Sequence, residues 1–127
     1  MPPGGTNVTA AAINDEGDVA GFMNAPSGAT VGFLWKDYTF TEFSFPQSNN
    51  TTPFGINKAD EIVGSYVDSA LNSHGFILAH PLTMAKWRSV DDPNGIGTTV
   101  ISGLNDMGQY VGFYTDAAGD TDGFLAQ

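Results

Sequence analysis

The 127-residue chain contains no cysteine, so neither a disulfide framework nor a thiolate metal site can be built from it. Basic residues are almost as scarce: Lys36, Lys58, Lys86 and Arg88 stand against 14 acidic side chains, for a net charge of -10. Four cations cannot neutralise a run of phosphates, so nucleic acid and anionic membrane are not expected partners, whereas cations are. No stretch approaches about 18 consecutive apolar residues, and the opening MPPGGTNVTAA has neither a basic segment nor an apolar one. A membrane span and an export signal are therefore not expected. Also absent are a Gly-x-Ser-x-Gly elbow, a phosphate-cradling glycine loop with its lysine, and a His-Glu-x-x-His pair. Helix-favouring composition is missing too. Only 14% of residues are charged, while 16 glycines and seven prolines suit short strands joined by tight turns.

What is present is bulk and repetition. Hydrophobic residues make up 41% of the chain and aromatic residues 12%, enough for a packed core in a single domain, residues 1–127. One unit occurs three times, at residues 12–35, 55–78 and 103–126. Its frame is an asparagine after a small and an aliphatic residue, then a glycine seven residues on, then Gly-Phe. The glycine before the phenylalanine (Gly32, Gly75, Gly123) follows the asparagine (Asn14, Asn57, Asn105) at the same interval of 18 residues each time. The copies are 43 and then 48 residues apart, a period typical of propeller blades.

Each copy reads as a meander of short strands. Small-residue, Thr-rich segments at 6–12, 50–55 and 97–103 are innermost strands, and Asn/Asp turns follow them. Second strands lie at 19–23, 62–67 and 110–115, each interrupted by a glycine (Gly21, Gly64, Gly112) that marks close backbone approach or a bulge. Third strands lie at 31–35, 74–78 and 122–126, and fourth strands at 40–45 and 86–90. The third copy has no fourth strand before Gln127. The expectation is an all-β propeller with blades at about 4–47, 48–94 and 95–127, in preference to a sandwich or barrel of about eleven strands. Three blades do not close a ring, so a homodimer giving six blades is expected.

Residues Gly55-Ile56-Asn57, Val63-Gly64-Ser65-Tyr66 and His74-Gly75-Phe76 resemble the bacterial HAF-type "probable extracellular repeat", and Gly103-Leu104-Asn105 to Gly123-Phe124 follows the same pattern. The resemblance covers nearly the whole chain and implies an exported, propeller-like protein. It implies no activity. Val31 and Asp122 stand where the second copy has His74.

The repeated asparagines read chiefly as turn devices satisfying their own backbone, with a ring of amides as the alternative. Chemistry is sought instead where the copies differ. Between second and third strands the third copy has Asp116, Asp120 and Asp122, the second has Asp68, Asn72 and His74, and the first has Ala25, Ala29 and Val31. Such oxygen ligands with one imidazole suit a divalent cation, Ca²⁺ ahead of Zn²⁺ or Mn²⁺. Antiparallel topology places these loops at the same end as Asp91 and Asp92, whereas His80 belongs at the opposite end. Two functions follow: a binding module with a cation on its acidic face and a small-molecule ligand, or a small metal-dependent hydrolase of esters or phosphoesters. In the hydrolase, Asp116, Asp120, Asp122 and His74 are ligands and Asp68 or Asp92 is the general base. A Ser-His-Asp set would draw on Ser65, Ser69 or Ser73 with His74.

Overall fold

The computed structural model describes residues 5–79, 81 and 83–127; Gly4, where the first repeat was expected to begin, and His80 lie outside them. These residues form eleven strands and no helix, and the sheets do not close into a barrel. In the first repeat β1 (Thr6–Ile13), β2 (Val19–Asn24), β3 (Thr30–Lys36) and β4 (Thr39–Phe43) form an antiparallel meander. The second repeat copies it with β5 (Asn50–Ile56), β6 (Ile62–Val67), β7 (Ser73–Ala79) and β8 (Lys86–Val90). The third has β9 (Val100–Leu104), β10 (Tyr110–Thr115) and β11 (Thr121–Ala126).

Two expected boundaries shift by more than one residue, each for a local reason. The fourth strand was expected to reach Phe45 but ends at Phe43, because the Phe45 N–H turns away to the Thr51 hydroxyl at 2.9 Å. The first strand of the third repeat starts at Val100 rather than at Gly97. Gly97 has φ +89°, a left-handed conformation that breaks the extended run, and Thr98 joins Ser73 in a parallel bridge instead.

Two core clusters lie between repeats; Met23 and Phe33, on the face of the first repeat that points away from the second, are buried as well. Because strand side chains alternate, the strands of the second repeat have one face toward the first repeat and one toward the third. Ala20 and Leu34, with Ala12, Phe43 and Phe45 beside them, pack onto Ile56, Ile62, Tyr66, Phe76 and Leu78 of the second repeat. On the other side of that sheet Val63, Ile77 and Val90 pack onto Ile101, Tyr110, Leu104 and Phe124 of the third. The unbroken apolar run Phe76-Ile77-Leu78 in β7 follows from this cover on both faces. Fully buried side chains such as Phe76 and Leu34 contribute about 1.5–3 kcal/mol each. Phe45 stacks on Tyr66 across the repeats with centroids 3.7 Å apart and rings 3° from parallel.

The second-strand glycines have one job in all three repeats. Each first strand carries a bulge where it passes the second, between Ala10 and Ala12, between Pro53 and Gly55, and opposite Val111 and Gly112. The bulge pushes the carbonyl of Thr9, Thr52 or Val100 into the space a Cβ would fill at Gly21, Gly64 or Gly112. First strands of successive repeats also neighbour one another, β1 beside β5 and β5 beside β9.

Candidate functional site

At one end of the sheets lie the β2–β3, β6–β7 and β10–β11 loops and the connections that lead to the next repeat. In the β6–β7 loop, Asp68 Oδ1 accepts the N–H groups of Ala70 (2.9 Å) and Asn72 (3.0 Å), while the Asp68 N–H donates to the Asn72 carbonyl. This is the Asx turn that an aspartate at such a position favours. It leaves Oδ2 free to meet His74 Nε2 at 2.7 Å. Pairing of Gly75 with Val90 brings the next residues on each strand together, and His74 Nδ1 meets Asp91 Oδ1, also at 2.7 Å. His74 thus bridges two carboxylates. Burial of the ring works against its charge, but the bonds to Asp68 and Asp91 prevail and raise its pKa above the usual histidine value. Asp68 is held below the usual carboxylate range, first by His74 and then by the Asn72 N–H. The protonated imidazolium is the form that donates to both carboxylates, and it offers no lone pair to a cation or a substrate proton.

The β10–β11 loop repeats the turn with a different consequence. Asp116 Oδ1 accepts the N–H groups of Ala118 and Asp120, each at 2.9 Å. The position of His74 is now taken by Asp122, so carboxylate faces carboxylate. Asp116 stays low, chiefly through the Asp120 N–H, whereas desolvation by its neighbours and then the Asp116 carboxylate push Asp122 up. The Tyr114 hydroxyl is also raised, by burial and then by Asp92 and Asp122. These groups surround an open cavity of about 590 Å³ lined by Pro93, Asn94, Tyr114, Asp116 and Asp122. The Pro93–Asn94 segment is flanked by Asp92, whose N–H donates to the buried Thr99 hydroxyl at 3.0 Å, and by Gly95, where any Cβ would strike Tyr114.

The expected site residues therefore fall into two groups. Asp68 joins His74 and Asp91, and Asp116 joins Asp122 beside Asp92 and Tyr114. Asn72 and Asp120 serve their turns through the backbone, with the Asn72 side chain against Gly97. Among the described residues no three histidine or acidic side chains stand close enough to hold a metal ion together, and none of Ser65, Ser69 and Ser73 bonds His74. Tyr114 was missed by sequence reasoning. Its signal was available in the alignment of the copies, which sets it over Tyr66, the residue whose ring lies 5.1 Å from His74.

The opposite end is built from the asparagines. In every copy Oδ1 accepts N–H groups two and four residues on, as with Ala59 and Glu61 at Asn57. Nδ2 then reaches the following repeat: Asn14 donates to the Asn57 carbonyl at 3.0 Å, and Asn57 to the Asn105 carbonyl at 3.2 Å. Lys36 adds an ion pair between repeats, to Asp18 at 3.0 Å and Asp60 at 2.6 Å. Bonds to Asp60 and then Asp18 raise the Lys36 pKa.

No protein-family model matches the chain, and comparison with curated proteins and with solved structures finds no significant match.

Proposed function

We propose that the chain is a propeller-type interaction module, its repeats stacked as successive blades, and that its acidic end binds a divalent cation. The observation that carries this reading is the convergence of Tyr114, Asp116 and Asp122, with Asp92 close by, on one open cavity. The charge of Asp116 helps push up the pKa of Asp122, as a negative potential does, and a bound cation relieves it. The donors are all oxygens, which favours Ca²⁺ over Zn²⁺ or Mn²⁺. Two adjacent carboxylates with water completing the shell suit affinities of about 10⁻⁴–10⁻³ M, the weak end of calcium sites. A hydrolase would need His74 as ligand or base; its engagement with Asp68 and Asp91 favours the module instead.

Thermal unfolding in Ca²⁺ tests the reading. A cation that binds only the folded chain stabilises it by about 2.7 kcal/mol at a hundredfold excess over Kd. The melting temperature is expected to rise with Ca²⁺, to return on chelation, and to lose the rise when Asp116→Asn is combined with Asp122→Asn. Asp37→Asn, in the β3–β4 turn at the opposite end, is expected to keep it. Melting unchanged by Ca²⁺, Zn²⁺ and Mn²⁺ would contradict the cation site.

A further inference from the structure

We infer that the chain assembles head to tail with a second copy, the exposed face of its third repeat docking on the first repeat of its partner. The template for this contact occurs twice inside the chain. Each repeat has a forward face toward the following repeat, with equivalent positions Ala20, Val63 and Val111, and Leu34, Ile77 and Leu125. Ala20, Leu34 and Val63 are completely buried by the repeat that follows, while Val111 is 45% and Leu125 68% exposed, and Phe113 beside them is 42% exposed. A groove of about 330 Å³ runs between Leu104, Asn105, Gln109, Val111 and Leu125. An apolar face of this kind on the outside of a domain marks an interface.

Its polar edge is likewise half used. Asn14 and Asn57 each donate from Nδ2 both to a side chain four residues on and to the next repeat's asparagine carbonyl. Asn105 makes the first bond, to Gln109 Oε1 at 2.8 Å, and among the described residues not the second.

On the first repeat Met23 and Phe33, equivalent to Tyr66 and Phe76, are already buried, so the contact is assigned to the open edge that carries Ile13, Asn14 and Asp15. Ile13, equivalent to Ile56 and Leu104, which seat against preceding repeats, is 68% exposed. The Asn14 carbonyl accepts the Gly17 N–H at 3.2 Å, as the Asn57 carbonyl accepts that of Asp60, and keeps the lone pair that Asn57 uses for the preceding repeat. Asp15 stands at the position of Asp106, whose carboxylate accepts the Lys58 N–H across the second interface at 2.7 Å. The Asp106 N–H would find the same acceptor in Asp15 of a second copy. Forward and rear faces differ, so the contact is heterologous, and two copies satisfy every face only by closing on each other.

Sedimentation of the whole chain in a chelator, which removes any effect of cations, tests the assembly. Wild-type protein is expected at twice the 13.3 kDa chain mass at micromolar concentration. Leu125→Asp and Ile13→Asp, both at exposed positions, are expected to be folded monomers by circular dichroism, because each removes one side of every head-to-tail contact. Mixed together they are expected to form a one-to-one pair, since one supplies an intact forward face and the other an intact rear face. A wild-type monomer would overturn the inference. So would a dimeric Ile13→Asp variant, which would mean forward faces meeting each other, or a mixture that stays monomeric. Assemblies larger than two would overturn closure by two copies.

Discussion

The side-chain amide of Asn14 donates to the main-chain carbonyl of Asn57 at 3.0 Å, and the two residues are 43 positions apart. One residue type thus does two things at once: it shapes its own turn and ties that turn to the next repeat. Both need the same amide in the same place at Asn14 and Asn57, while Asn105 keeps the turn role alone among the described residues.

The two inner asparagines and the outer one are expected to differ in cost. Asn57 is 3% exposed, and Asn57→Ala removes bonds to Ala59, Glu61 and Asn105 together, a loss of about 3 kcal/mol. Asn105→Ala, at an exposed turn, is expected to cost less than about 1 kcal/mol. Urea unfolding of the two variants measures the difference; equal losses would mean that the bond between repeats contributes nothing.

The Asp68–His74–Asp91 bridge makes stability depend on pH in two directions. The His74 pKa is raised in the fold, so its contribution is complete below the unfolded value near 6.5 and is lost as pH climbs through the folded value. The Asp68 pKa is lowered, so its contribution is present above the unfolded value near 3.8 and is lost as pH falls. Stability from this bridge is expected to peak between these values. Denaturation midpoints from pH 4 to 9 are expected to decline above about 6.5 in the wild type, and to lose that decline in His74→Gln.

Glycine is required where the bulge crosses the second strand. In Gly64→Ala the new Cβ would lie 2.6 Å from Pro53 Cα and closer still to the Thr52 carbonyl, both main-chain atoms that cannot swing aside. The expected loss exceeds about 3 kcal/mol. At Gly123 the nearest atom is the Gly112 carbonyl oxygen at 3.7 Å, an ordinary contact, so Gly123→Ala is expected to be neutral or slightly stabilising. Chemical unfolding of the pair separates a steric need from a mere family likeness of the repeats.

The strands were legible because repetition supplies three readings of one element. Residues 62–67 and 110–115 were expected and observed as strands, and the glycine in each was expected to mark the close approach that Thr52 and Val100 make. Phe45 was misplaced because its hydrogen bond goes to Thr51, a partner no local pattern reveals. The site was legible only in part. Alignment of the copies brought Asp68 to Asp116 and His74 to Asp122, but it could not show that Asp91 completes the histidine bridge, or that Tyr114 faces Asp122. Those are relations across strands and loops, set by register and by the path of the β8–β9 connection.

Cation binding at the acidic end is the central proposal. Isothermal titration of Ca²⁺ into the wild type and into the double variant Asp116→Asn, Asp122→Asn tests it directly. Saturable binding with a Kd of about 10⁻⁴–10⁻³ M to the wild type, and its loss in the variant, is the predicted result. No saturable heat in the wild type, or the same isotherm from both proteins, would contradict it.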